Sequence, residues 1–179
     1  MEMLLIRHCA PTLAGLKTAN LFNCRNKNIL ADFENCKSNL KRKGIDITIL
    51  SEREDGALVY VYRKDRLGKD LSCDMAVEVL KQFGYESADV DSCINHLAGR
   101  IKESKCFPHE IGLFLGYPVE DVKGFIENNG HNFKCTGYWK VYCNECEAQK
   151  TFARYKKCVD VYTRLYKGGR SIEKLTVAV

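Results

Sequence analysis

The 179 residues carry 28 basic and 23 acidic side chains, a net charge of +5, with 45% apolar residues, ten cysteines and three prolines. That length and apolar content suit one globular domain over 1–179 and exclude a disordered or low-complexity chain. No apolar run reaches the ~20 residues of a membrane-spanning helix. The start, Met-Glu-Met-Leu-Leu-Ile-Arg-His, lacks the features of a secretory signal, so the cysteines read as reduced thiols of a cytoplasmic protein. Charge is divided along the chain: net +4 over 1–70, −4 over 71–134 and +5 over 135–179. That alternation disfavours nucleic acid as a partner, which would call for one basic face or tail.

In chain order, Pro11 suits the first position of a helix over about 11–23, with Leu13, Leu16, Leu21 and Phe22 on its apolar side. A second helix is expected over about 28–43, with Ile29, Leu30, Phe33 and Leu40 inward. Lys41-Arg42-Lys43 and Gly44 would then offset its dipole and cap it. Two β-branched runs flank Asp55-Gly56, the signal of a two-residue hairpin turn that would set Leu50 opposite Val61 and Ile49 opposite Tyr62.

The acidic middle reads as helices. Leu71, Met75, Val79/Leu80 and Phe83 mark one, and Val90, Ile94, Leu97 and Ile101 another behind a Ser87 cap. Pro108 and Pro118 each suit the first turn of a short helix, the second ending at Asn128-Asn129-Gly130. A strand is expected over about 138–143, then a long helix over about 145–167 with an apolar stripe from Ala148 to Tyr166. Lys150, Arg154, Lys157 and Arg164 form a separate basic stripe. Leu175–Val179 reads as a short edge strand. The fold class is therefore α+β: a small antiparallel sheet of three or four strands (hairpin about 46–63 plus strand about 138–143) surrounded by about seven helices.

Four segments carry groups suited to chemistry. A helix opened by Pro11 would set free N–H groups beside His8, Cys9 and Thr12, with Lys17 able to reach back to a bound anion and Gly15 allowing close approach. His109 and Glu110 follow Pro108 and form a pair suited to proton transfer. Cys143-Asn-Glu-Cys146 is a CxxC between a strand and a helix, which suits thiol-redox work. With His131 and Cys135 it also supplies four possible zinc ligands, although ten cysteines make one CxxC common by chance. Finally, Lys140 lies between Tyr138 and Tyr142 on one face of the expected strand.

The segments His8–Lys17, Phe107-Pro-His-Glu-Ile-Gly-Leu-Phe-Leu-Gly-Tyr-Pro118 and Gly137-x-Trp-Lys-Val-Tyr142, in this order, resemble the hallmarks of an uncharacterised bacterial family, domain of unknown function 3793. The likeness covers roughly 3–177. It implies no established activity or cofactor. It implies cytosolic proteins of anaerobic bacteria found beside iron-uptake and flavodoxin genes, and it singles out the three motifs while leaving the CxxC outside the pattern.

The expectation is a pocket for a small anionic or phosphate-bearing ligand. His8, Thr12, Gly15, Lys17, Asn20, Lys140 and Tyr142 would bind it, with Cys9, His109 and Glu110 as candidate reactive groups. Two alternatives belong to other classes. One is a thiol-redox or metal protein built on His131, Cys135, Cys143 and Cys146. The other is an adaptor without chemistry whose basic stripe docks an acidic protein such as a flavodoxin.

Overall fold

The computed structural model describes residues 1–25, 37–54, 56–87, 89–103 and 107–178. It is an α+β protein whose chain divides into two compact units, Met1–Arg66 with Tyr155–Val179, and Leu67–Arg154.

The first unit is a helix laid on a three-stranded sheet. Helix α1 spans Glu2–Leu13 and is followed by strands β1 (Ala19–Cys24), β2 (Asp46–Arg53) and β3 (Gly56–Tyr62). Strand β3 is central, antiparallel to both neighbours, in the order β1-β3-β2. Leu5, Ile6, Cys9 and Leu13 recur along one side of α1. They pack with Phe22, Cys24, Ile47, Val59 and Val61 in one buried cluster.

The expected helix over 11–23 is thus replaced by the end of a helix and the start of a strand. Pro11 stands in the last turn of α1, where the missing N–H removes one intrahelical bond rather than opening the element. Gly15, at φ 72°, ends it in a left-handed cap: Leu16 N–H donates to Pro11 O and Gly15 N–H to Thr12 O. The helix expected over about 28–43 falls mostly outside the described residues. Its described end is helical over 37–41, with Leu40 fully buried.

The hairpin of β2 and β3 forms, in a different register. Arg53 faces Gly56 and Ile49 faces Val59, with a bulge between Ile49 and Ser51. Gly56 is therefore a strand residue and not part of the turn. A Cβ there, at φ 154°, would lie 2.0 Å from Cys24 O on β1. Glycine is required for backbone approach across the sheet.

The chain end forms a helical turn, α8 (Ile172–Leu175), in place of the expected edge strand. Beyond it Val177 N–H donates to Leu13 O. Ile172 and Leu175 enter the same core cluster.

The second unit holds helices α2 (Lys64–Leu71, from its fourth residue), α3 (Asp74–Gln82), α4 (Val90–Glu103), α5 (Ile111–Phe114) and α6 (Val119–Glu127), then strands β4 (Cys135–Thr136) and β5 (Lys140–Val141). Leu71 ends α2 and so does not belong to the helix of Val79 and Leu80. The cap of α4 is Asp89, whose carboxylate accepts from Ser92 N–H, while Ser87 Oγ accepts from Asp89 N–H. Pro118 is the N-cap of α6, one residue before the expected place, and Pro108 precedes the turn that leads into α5. The strand expected over 138–143 is reduced to β5, paired with β4 in a separate two-stranded sheet. Helix α7 (Glu145–Lys167) starts in this unit and ends in the first. Tyr162 and Tyr166 of its stripe, together with Leu165, pack on the first unit's core.

Candidate functional site

Two of the sequence motifs meet. The segment around Phe107–Tyr117 and the β4–β5 hairpin line one pocket of about 470 Å³, which α6 closes with Asp121, Val122 and Phe125. Local structure explains the assembly. Gly116, at φ 67°, ends α5 with Tyr117 N–H donating to Gly112 O, which turns Tyr117 to the pocket just before Pro118 caps α6. At Gly137, Phe152 of α7 presses so close that a Cβ would lie 2.3 Å from its ring.

Asp121 organises the hairpin side. It is buried, and Oδ2 accepts from Trp139 Nε1 at 2.7 Å. Its Oδ1 accepts from the N–H groups of Tyr142 and Cys143 at 2.8 and 3.0 Å, and from the Cys143 thiol at 3.3 Å. The carboxylate is thereby committed to the protein. Trp139 also stacks on Tyr117, centroids 5.0 Å apart, and meets Phe152 edge-on at 4.5 Å.

Lys140 supplies the positive charge. Its Nζ donates to Gly130 O at 2.7 Å and lies 4.9 and 5.6 Å from the ring centroids of Phe133 and Phe125. No carboxylate pairs with it among the described residues. His109 stands edge-on to the same Phe125 ring, centroids 5.0 Å apart. Of the residues expected from the sequence, the structure places His109 and Lys140 at this pocket. Sequence reading gave no role to Asp121, Tyr117 or Phe125, since an acidic residue in the first turn of a helix carries no signal beyond the dipole and a lone ring none beyond packing.

Glu110 does not line this pocket. It is fully buried, ion-paired with Arg100 Nε at 2.5 Å, and accepts from Tyr85 OH at 3.2 Å. Burial, then the Glu110 carboxylate, pushes the Tyr85 phenol well up. Tyr142 also leaves the pocket: its ring lies against Gly124, where a Cβ would be 2.5 Å from Cγ. Its hydroxyl is buried without a partner among the described residues.

The first motif lies in the other unit, and the dipole argument for it reverses sign. Thr12 and Gly15 stand at the C-terminal end of α1, where carbonyls face outward. Arg63 answers them: Nε donates to Thr12 O at 2.8 Å, and Nη2 to Leu13 O and Val177 O, each at 2.9 Å. Arg66 donates to Gly15 O at 2.7 Å. These two arginines, Lys41 and Lys64 line a second cleft of about 230 Å³ with Asp46 and Asp65. Thr12 Oγ1 donates to Asn20 Oδ1 at 2.7 Å, tying α1 to β1.

Lys17 is 2% exposed, its Nζ donating to Ala19 O at 2.5 Å, and burial lowers its pKa to about 7. Cys9 is fully buried, and burial raises its thiol pKa, the opposite of an activated nucleophile. His8 is exposed and stacks on Phe22 at 5.0 Å; partial burial, then Arg7, lowers its pKa.

The CxxC cysteines are both exposed at the start of α7. Burial, then the bond to Asp121, raises the Cys143 pKa. No three His, Cys, Asp or Glu side chains gather to hold a metal ion among the described residues, which include His131, Cys135, Cys143 and Cys146. The basic stripe of α7 is exposed, with Lys150 paired to Glu147 at 2.7 Å. No helix among the described residues is long and apolar enough to cross a membrane.

Fold and site together define an α+β protein with a compact, aromatic-lined pocket carrying one lysine. More particularly, residues 5–176 match the family described as "Protein of unknown function (DUF3793)", and the chain belongs to it. No curated protein and no solved structure matches the chain.

Proposed function

We propose that the protein binds a small anionic ligand in the pocket formed by the Phe107–Tyr117 segment, α6 and the β4–β5 hairpin. The observation that carries this reading is the lysine inside it. Both Asp121 oxygens accept bonds from the protein, to Trp139, Tyr142 and Cys143, whereas Lys140 Nζ forms no ion pair with a carboxylate among the described residues and bonds only the neutral Gly130 carbonyl. A ligand anion would pair with that ammonium in a pocket walled mostly by rings. His109 adds a second ring nitrogen donor or acceptor to the same wall. The anion contact expected of Lys17 does not enter the proposal, because that ammonium is buried and bonded to Ala19 O. The eight described cysteines are all unbridged, which supports a reducing compartment such as the cytoplasm.

Calorimetric titration with phosphate- and carboxylate-bearing metabolites tests the reading. Lys140→Met keeps a side chain of similar length without the charge and should remove the binding of every ligand found, in a variant that still unfolds cooperatively. Binding that survives Lys140→Met unchanged would refute it.

A further inference from the structure

We infer that the ligand of this pocket is a planar aromatic ring carrying a phosphate or carboxylate, an inference that rests on the anionic reading above and narrows it. Exposed rings are concentrated here. Phe107 is 46% exposed and Tyr138 37%, and both line the pocket, while Phe133, 38% exposed, lies 4.9 Å from Lys140 Nζ. Elsewhere among the described residues the comparably exposed large apolar side chains are Met75 and Val177, neither of them aromatic. Rings left open to water around one concave site fit a flat apolar partner that covers them.

The wall is also set in advance. The Trp139 indole is fixed through Nε1 to Asp121, through its stack on Tyr117 and through its edge contact with Phe152. It therefore offers a rigid surface that loses little freedom when a ring packs on it. An aromatic enclosure of this kind also suits an ammonium ion. Lys140 disfavours that occupant by like charge, and both Asp121 oxygens already accept hydrogen bonds from Trp139 and the hairpin backbone. What remains is a ring with a negative group, in a volume of about 470 Å³.

The tryptophan is the single one in the chain, so its fluorescence reports on this wall. The full-length protein is titrated with adenosine 5′-monophosphate, adenosine and ribose 5-phosphate, and separately with 2-naphthoate and its uncharged methyl ester. Calorimetry runs alongside. The ring-plus-anion member of one set should bind at least about tenfold tighter than its ring-only or anion-only partner, the scale of one base–aromatic stack. Lys140→Met should remove the preference over the uncharged member, and Tyr138→Ala should weaken ring-bearing members while leaving ribose 5-phosphate unchanged. Preference within the nucleotide set assigns the anion as phosphate; preference within the naphthoate set assigns it as carboxylate.

Ribose 5-phosphate binding as tightly as the nucleotide, with Lys140 required, would overturn the aromatic inference and leave the anionic reading standing. Binding of uncharged rings equal to the charged ones and insensitive to Lys140→Met would overturn both. Absence of Lys140-dependent binding by any of the five up to millimolar concentration would also overturn both.

Discussion

Trp139 Nε1 donates to Asp121 Oδ2 at 2.7 Å, and the other oxygen of the same carboxylate accepts the N–H groups of Tyr142 and Cys143. One buried side chain on α6 therefore holds both the tip and the return of the β4–β5 hairpin. The two-residue strands have little ladder of their own. Asp121→Asn keeps the shape but turns an N–H group toward another donor. It should cost about 2–3 kcal/mol in denaturant melts, the range for an unsatisfied group at a charged bond. Tryptophan emission should shift red in the folded variant as the indole loses its fixed place. A native-like emission maximum with unchanged stability would show that the hairpin is held by other means.

Arg63 is a second organiser. Its guanidinium spans Thr12 O, Leu13 O and Val177 O, with a longer bond to Lys43 O at 3.3 Å. Lysine has one ammonium and cannot reach a carbonyl set spread over three chain segments. Arg63→Lys should therefore fail to rescue, costing about 2–4 kcal/mol in thermal or urea melts, close to the loss from Arg63→Met. Full rescue by lysine would mean that charge alone matters at the end of α1.

These two residues show where sequence reading reached its limit. Helix α7 and the Val90–Ile101 periodicity of α4 were legible because an apolar stripe repeats with the helical period over many residues. His109 and Lys140 were legible as charged or titratable groups inside short motifs. Pro11 misled because its fixed φ suits the first turn and is also tolerated in the last turn of α1. A strand at Ala19–Cys24 carries no clear alternation, and its identity comes from pairing with β3, a partner almost forty residues away. Asp121 and Arg63 act through distant backbone groups, which no local pattern announces.

Gly56 gives a sharp test of the register. A turn glycine would tolerate exchange with asparagine, whereas here the obstacle is Cys24 O on the neighbouring strand, 2.0 Å from an added Cβ. Both Gly56→Ala and Gly56→Asn should lower stability by more than about 2 kcal/mol, since backbone must move. Retained stability in Gly56→Asn would place this residue back in the turn.

The buried pair Glu110 and Arg100 predicts strong coupling. Glu110 is fully enclosed and Arg100 is its ionic partner at 2.5 Å. Arg100→Met alone leaves a buried carboxylate without its counter-charge and should cost about 3 kcal/mol. Glu110→Gln together with Arg100→Met should cost less than the sum of the two single changes by at least about 1 kcal/mol. Additive losses in chemical denaturation would mean that the pair makes no specific interaction.

Lys17 sets a pH dependence whose sign differs from that of a paired lysine. Burial lowers its folded pKa from 10.5 to about 7, so between those values the unfolded chain binds more protons than the folded one. Stability from this site therefore rises as pH increases through 7, and the burial penalty is full below that point. Cys9 works in the other direction above its ordinary value of 9.0, because the unfolded thiol ionises while the buried one stays protonated. The window in which Lys17 dominates this pair is thus pH 7 to 9. Melting temperature followed across that window should climb in the wild type more than in Lys17→Met, where no ammonium has to be desolvated. Lys17→Met should also match or exceed the wild type at pH 6, since a well-packed apolar side chain replaces a buried charge. Parallel profiles for the two proteins would show that the Lys17 ammonium stays charged in the fold through its bond to Ala19 O.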